Sequence, residues 1–286
     1  MIALTGATGQ LGQRVTHALL ASRAAADVVA LVRNPAKAAE LGARGVTLRA
    51  ADYNDGAALH GALAGVERLL LISSSEVGQR ATQHANVIAA AKRQGVKLLI
   101  YTSLLHAETS TLSLAEEHRQ TEAMIKTSGL PFILLRNGWY TENYTASVPA
   151  ALANGAFYGS AGHGQIASAT RQDYAEAAAK ALLGEVPSGS TLELAGDVAY
   201  TLADLAGEVS RQTGRAIPYH NLPEADYRDA LVKAGLPDWL AAGLASWDVS
   251  AAGGALFDDG RALSQLLGRP TTSLAAAVTA ALPAHA

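Results

Sequence analysis

Glycines at 6, 9 and 12, set directly behind the apolar run Ile2-Ala3-Leu4-Thr5, constrain this chain more than any other feature. The stretch that follows carries Leu11, Val15, Ala18 and Leu19 at the spacing of one helix face. A strand that turns straight into a helix through Gly-x-x-Gly-x-x-Gly is a βα unit. Gly6 permits the tight turn, Gly9 lets a phosphate approach the backbone with no Cβ in the way, and Gly12 lets helix and strand pack closely. The helix N-terminus adds free N–H groups and the positive end of a dipole, which suits an anion. The spacing is not the commoner Gly-x-Gly-x-x-Gly, and a tight turn holding nothing is the plain alternative. The strand-before, helix-after setting favours a bound nucleotide, with Gly6, Ala7, Thr8, Gly9, Gln10 and Leu11 as its contacts.

The second strand sharpens this expectation. Residues 27–32 form a near-continuous apolar run, as a parallel strand covered on both faces requires. The run ends at Arg33-Asn34-Pro35, about 20 residues past the last glycine. A site that prefers NAD places an acid there for the ribose 2′-hydroxyl, whereas an arginine accommodates a 2′-phosphate. Residues 31–36 contain no acid, while Arg33 and Lys37 are at hand. NADP(H) is therefore favoured over NAD(H), against the alternative of a merely solvated charge.

Strands are expected at 46–50, 66–72, 96–102 and 131–135. Helices are expected at 56–64, at 79–94 before Gly95, and at 114–128 before Gly129. This alternation predicts an α/β protein: a doubly wound, parallel Rossmann sheet with a smaller, mainly helical C-terminal lobe. We expect an NADP-binding Rossmann domain over 1–150, a returning strand near 191–195, and an interleaved substrate-covering lobe over 151–286. A helix is expected at 173–183 with Asp173 as its cap. Ligands of such sheets sit beyond the C-terminal strand ends. The 286 residues carry a net charge of −3, no cysteine and no basic run. Nucleic-acid and membrane partners, thiol chemistry and metal binding are therefore not expected, and the cytoplasm is the default location.

Several segments together resemble the NmrA-like, atypical branch of the short-chain dehydrogenases: G-A-T-G-Q-L-G, L-V-R-N-P, L-L-L-I-S-S-S-E-V, Y-T-S-L-L-H, L-L-R-N-G-W-Y-T-E-N-Y and A-T-R-Q-D-Y-A. Within that branch the chain is similar to flavin-free bacterial NAD(P)H:quinone oxidoreductases, with triphenylmethane-dye reductases as near relatives. The resemblance implies an NADPH-dependent reductase with cofactor contacts at residues 6–11, Arg33, Ser73, Ser74 and Ser75. It also implies contacts along Asn137, Gly138, Trp139, Tyr140, Thr141 and Glu142.

Short-chain dehydrogenases that reduce ordinary ketones carry a serine and a Tyr-x-x-x-Lys helix. Here Ser103 follows the fifth strand, but residues 115–122 read Ala-Glu-Glu-His-Arg-Gln-Thr-Glu, with neither the tyrosine nor the lysine and with His118 and Glu122 as the best candidates in their place. Hydride transfer to a simple ketone builds a strongly basic alkoxide that needs a proton donor. A quinone yields a far weaker base, and a triarylmethane cation needs no proton at all. The missing dyad therefore points to an electrophilic acceptor, with catalysis by positioning at the nicotinamide. The catalytic group itself is left open. Ser103 and His118 are weak candidates, and His118 reads more readily as a solvated helix histidine. Phe132, Trp139, Tyr140, Tyr144, Phe157 and Tyr158 crowd one stretch. Trp139, Tyr140 and Tyr144 are the expected acceptor pocket. An NADP(H)-sensing regulatory protein and a dye or azo reductase are the competing readings. The oligomeric state is left open.

Overall fold

The computed structural model describes residues 1–283. From the N-terminus the chain forms β1 (Ile2–Leu4), α1 (Gln10–Leu20), β2 (Val28–Val32), α2 (Ala39–Ala43), β3 (Thr47–Ala50), α3 (Gly56–Ala62), β4 (Arg68–Leu71), α4 (Arg80–Gln94), β5 (Leu98–Leu104), α5 (Ala115–Ser128) and β6 (Phe132–Asn137). Next come α6 (Thr141–Thr145), α7 (Val148–Asn154), β7 (Phe157–Gly159), α8 (Arg171–Leu183) and β8 (Thr191–Leu194). The last part forms α9 (Leu202–Thr213), β9 (Tyr219–Asn221), α10 (Glu224–Lys233), α11 (Asp238–Ala252), α12 (Ala262–Leu267) and α13 (Leu274–Ala281).

Seven strands pair in the order β3-β2-β1-β4-β5-β6-β8, all parallel, as the βα alternation predicts. Side chains alternate across the sheet. Ala3, Val29, Leu31, Leu69, Leu71, Leu99, Tyr101 and Leu134 join a buried cluster with Leu59, Val87, Ile88 and Ile125 from α3, α4 and α5. The opposite face is covered by α1 and α8, which pack on each other. Local chemistry sets the helix ends. The Asp55 carboxylate caps α3 by accepting from Ala57 and Ala58 N–H, and left-handed Gly95 and Gly129 close α4 and α5.

Some boundaries differ from those expected. β5 runs to Leu104 and β6 to Asn137, so Ser103 lies inside a strand and Asn137 ends one instead of opening the following turn. Asp173 is the third residue of α8, not its cap, and is fully buried.

The chain divides into two compact units. The first comprises Met1–Glu108, Leu114–Asn137 and Arg171–Leu194, and the second Thr109–Ser113, Gly138–Thr170 and Ala195–Ala286. Within the second unit β7 and β9 pair in parallel and α10 packs on α11. Its α9 opens with a reciprocal cap between Thr201 and Asp204. Among the described residues no helix is long and apolar enough to cross a membrane.

Candidate functional site

The turn after β1 is built as its glycines require. Gly6 takes φ +62°, and the Gly9 N–H donates to the Gly6 carbonyl at 2.9 Å. A Cβ on Gly12 would stand 2.2 Å from the Gly6 oxygen, so only glycine lets α1 lie this close. Gly9 is the N-cap of α1 and offers no side-chain oxygen to its first N–H groups. Those donors and the dipole end stay available to an anion. The strand order turns at β1 and β4, the switch point where ligands of open α/β sheets bind.

Two further segments end at the same sheet edge. Arg33 follows β2 and pairs with Glu76 at 2.7 Å. The segment after β4 is fastened rather than loosely hinged. Ser73 N–H donates to Thr102 Oγ1 at 2.9 Å and Ser74 N–H to His84 Nε2 at 3.0 Å. Arg80 Nε donates to the Ser74 carbonyl at 2.5 Å, and Glu117 Oε1 accepts from Gly78 and Arg80 N–H at 2.9 and 3.1 Å. Ser75 remains exposed. Sequence reasoning missed this clamp. Its signal was present, because Arg80, Gln83 and His84 share the inward face of α4 with Val87.

Beyond β5 and β6 the chemistry is ionic. Ser103, Arg136 and Glu193 stand level across β5, β6 and β8. Arg136 grips Glu122 of α5 through Nε–Oε1 at 2.8 Å and Nη2–Oε2 at 2.7 Å, and reaches Glu193 at 2.8 Å and Glu108 at 3.0 Å. Ser103 Oγ donates to Glu122 Oε1 at 2.6 Å, so its proton is already committed. Burial raises the Glu122 carboxyl, but the bonds from Arg136 and Ser103 outweigh it and hold it below the usual range. Lys126, one turn beyond Glu122, is tied to Glu122 at 3.4 Å and Glu108 at 3.8 Å.

His118 departs from expectation. It is not a solvated surface residue; it is buried, with Nδ1 2.7 Å from the Tyr101 hydroxyl. Burial pushes its imidazole down to about 3 and the Tyr101 phenol well up. A neutral ring accepting from a protonated phenol satisfies both groups. Tyr101 is core, as its strand position implies.

Asn137 closes β6 with its backbone paired to both neighbouring strands, while its buried side-chain oxygen has no partner among the described residues. In the second unit, Trp139 meets Trp247 edge to face at 5.7 Å. Tyr140 bridges to Ala169, and Thr141 joins a buried hydroxyl chain through Ser168 to Tyr200 at 2.8 and 2.6 Å. Glu142 lies in the first turn of α6. Tyr144 donates to Asp248 at 3.1 Å. The remaining aromatics disperse: Phe132 joins the sheet core, Phe157 is buried in β7, and Tyr158 is exposed beside His220.

Residues 6–185 match the NAD(P)H-binding family model. The chain belongs to that family. It is 59% identical over 279 residues to quinone oxidoreductase 2 of Escherichia coli, covering 98% of each chain. The crystal structure of the NADPH-dependent quinone oxidoreductase from that organism, complexed with NADPH, superposes with a TM-score of 0.96 over 98% of this chain and 99% of the other. The Citrobacter sp. triphenylmethane reductase complexed with NADP(H) is 36% identical, with a TM-score of 0.96 over 99% of this chain and all of its own. An NmrA-like family domain-containing oxidoreductase of Aspergillus flavus is 30% identical, covering 79% of this chain and 76% of the relative. The likeness expected from the sequence motifs therefore holds at the level of family. The glycine turn, the uncapped α1 and the orphan Asn137 oxygen fit a dinucleotide.

Proposed function

We propose that the protein is a cytoplasmic, NADPH-dependent reductase that transfers hydride to quinone-type acceptors without a flavin. Gly6–Leu11 at the N-terminus of α1 would hold the pyrophosphate, and Arg33 would hold the 2′-phosphate. Ser73, Ser74 and Ser75 would flank the nicotinamide ribose. The Asn137 amide and the Gly138–Glu142 backbone serve the nicotinamide end, and Trp139, Tyr140 and Tyr144 meet a flat acceptor ring. Bound NADPH supplies the hydride. The protein's part is to orient both rings and exclude water.

The observation that carries this reading is the pair Glu122–Arg136. Where ketone reductases of this superfamily hold a tyrosine ready to give a proton, this helix holds an acid clasped by an arginine at 2.7 and 2.8 Å. The nearby Ser103 proton points to that carboxylate. Such a site suits acceptors that take hydride without concerted protonation. The similarity to an NADPH-dependent quinone oxidoreductase supports the same class.

Stopped-flow loss of nicotinamide absorbance on mixing with benzoquinones and naphthoquinones tests the proposal. Turnover well above the uncatalysed rate is expected. Cofactor binding with no gain for any quinone would reject it in favour of a binding or sensing protein. A cationic triphenylmethane dye in the same assay weighs the related dye activity, which the Citrobacter relative makes worth measuring.

A further inference from the structure

Asp248 lies on the buried face of α11, 5% exposed, with one partner for each oxygen. Oδ2 accepts the Ser160 backbone N–H at 2.8 Å, and Oδ1 accepts the Tyr144 hydroxyl at 3.1 Å. The two oxygens are not equivalent. A backbone N–H can only donate, so Oδ2 must keep its lone pair, and an acid proton can sit only on Oδ1, facing Tyr144. Protonation therefore reverses the bond. The carboxylate holds the Tyr144 hydrogen, whereas the acid donates to the Tyr144 oxygen and releases that hydrogen.

We infer that Asp248 is a positioning residue whose protonation reverses the hydrogen bond to Tyr144 and frees the Tyr144 proton for the oxygen of a reduced quinone. The inference rests on the proposed reading of Tyr144 as an acceptor-facing side chain. The surroundings leave the switch room to work. The ionisable groups that feel Asp248 are Tyr144 of α6, Tyr219 of β9 and Tyr227 of α10, and its charge raises all three phenols. Tyr200 acts on Tyr144 in the same direction. A Cβ on Gly159 would stand 2.8 Å from Oδ2, so that side of the carboxyl is closed by backbone. Burial pushes the Asp248 carboxyl up to about 6, against the pull of its bonds from Ser160 and Tyr144. Both forms are thus populated near neutrality.

The step balances without any redox change in the protein. A quinone that has received hydride is a hydroquinone monoanion and needs one proton. The Tyr144 O–H bond breaks as the hydroquinone O–H bond forms. The Oδ1–H bond of Asp248 then breaks to restore Tyr144, and solvent reprotonates the carboxylate. A cationic dye becomes neutral on taking hydride and makes no use of this route.

Asp248→Asn is the informative variant. The Ser160 N–H still needs an acceptor, so the amide oxygen takes the place of Oδ2 and the amide nitrogen donates to Tyr144 at every pH. Ultraviolet resonance Raman difference spectra, with Tyr144→Phe as the subtraction, should show the Tyr144 doublet changing between pH 5 and 8 with a midpoint near 6. The doublet should be constant in D248N. In the wild type, kcat for a benzoquinone should rise about fivefold as pH falls through this range, with KM unchanged. D248N should be flat, and the dye reaction should show no inflection in either protein. A doublet that ignores pH in the wild type, or an inflection that persists in D248N with quinone turnover intact, overturns the inference alone. Absence of any quinone turnover overturns the functional reading and the proton delivery with it.

Discussion

Arg33 follows β2 with its guanidinium 2.7 Å from the Glu76 carboxylate, its side chain 63% exposed. Exposed pairs of this kind contribute at most about 1 kcal/mol, so in the proposed role exchanging Glu76 for a phosphate costs little. A charge-assisted bond to a phosphate contributes about 1.5–3 kcal/mol. Arg33→Ala should therefore weaken NADPH binding by roughly ten- to a hundredfold and leave NADH binding nearly unchanged. Fluorescence titration with both cofactors measures this, and an unaltered NADPH affinity would remove the assigned role. The sequence points to Arg33 because it follows an apolar strand with no acid nearby, and the structure shows its side chain paired with Glu76. Asp248 was not legible in the sequence. It sits beside Trp247 in an alanine-rich helix, and only the fold brings it to Tyr144, 104 positions away. His118 was visible as a candidate, but its burial and its bond to Tyr101 depend on neighbours that one sequence does not reveal.

β5, β6 and β8 show why an element's end is harder to read than its existence. The apolar run of β6 stops at Leu135, which reads as a strand end, yet the ladder continues through Arg136 and Asn137. A charged side chain can occupy a buried strand position when its charge is matched, and Glu122, Glu193 and Glu108 match it here. Ser103 extends β5 in the same way by bonding to Glu122. Arg136→Met should cost about 3–5 kcal/mol, because it strands a buried carboxylate. Adding Glu122→Gln should recover part of the loss. Urea denaturation of the single and double variants measures the difference, and a single-variant cost under about 1 kcal/mol would show that the cluster is not a structural clasp.

For the molecule as a whole, the buried histidines govern its response to acid. Burial pushes His84 and His118 down to about 3, against roughly 6.5 in an unfolded chain. Between those values the unfolded chain binds protons that the folded one refuses. Their contribution is therefore complete above pH 6.5 and is lost as pH falls, by about 1.4 kcal/mol per pH unit for each ring. Asp248, pushed up to about 6, works the other way and offsets part of the loss below that pH. The net expectation is a loss of roughly 3 kcal/mol between pH 7 and pH 5. Denaturant melts at pH 7, 6 and 5 measure it, and His118→Gln should flatten the slope. A slope no steeper in the wild type than in that variant would show that the ring is protonated in the folded state. The parallel architecture was legible from the βα rhythm, and so was the path of the chain out of the sheet and back to it as β8. That path has a consequence for synthesis. Glu193 arrives on β8, well after β6 has left the ribosome, so a nascent chain exposes an unpaired strand edge and an incompletely neutralised Arg136 until the final strand docks. Pausing or truncation in that interval should yield a sticky, chaperone-dependent species rather than a stable half-protein.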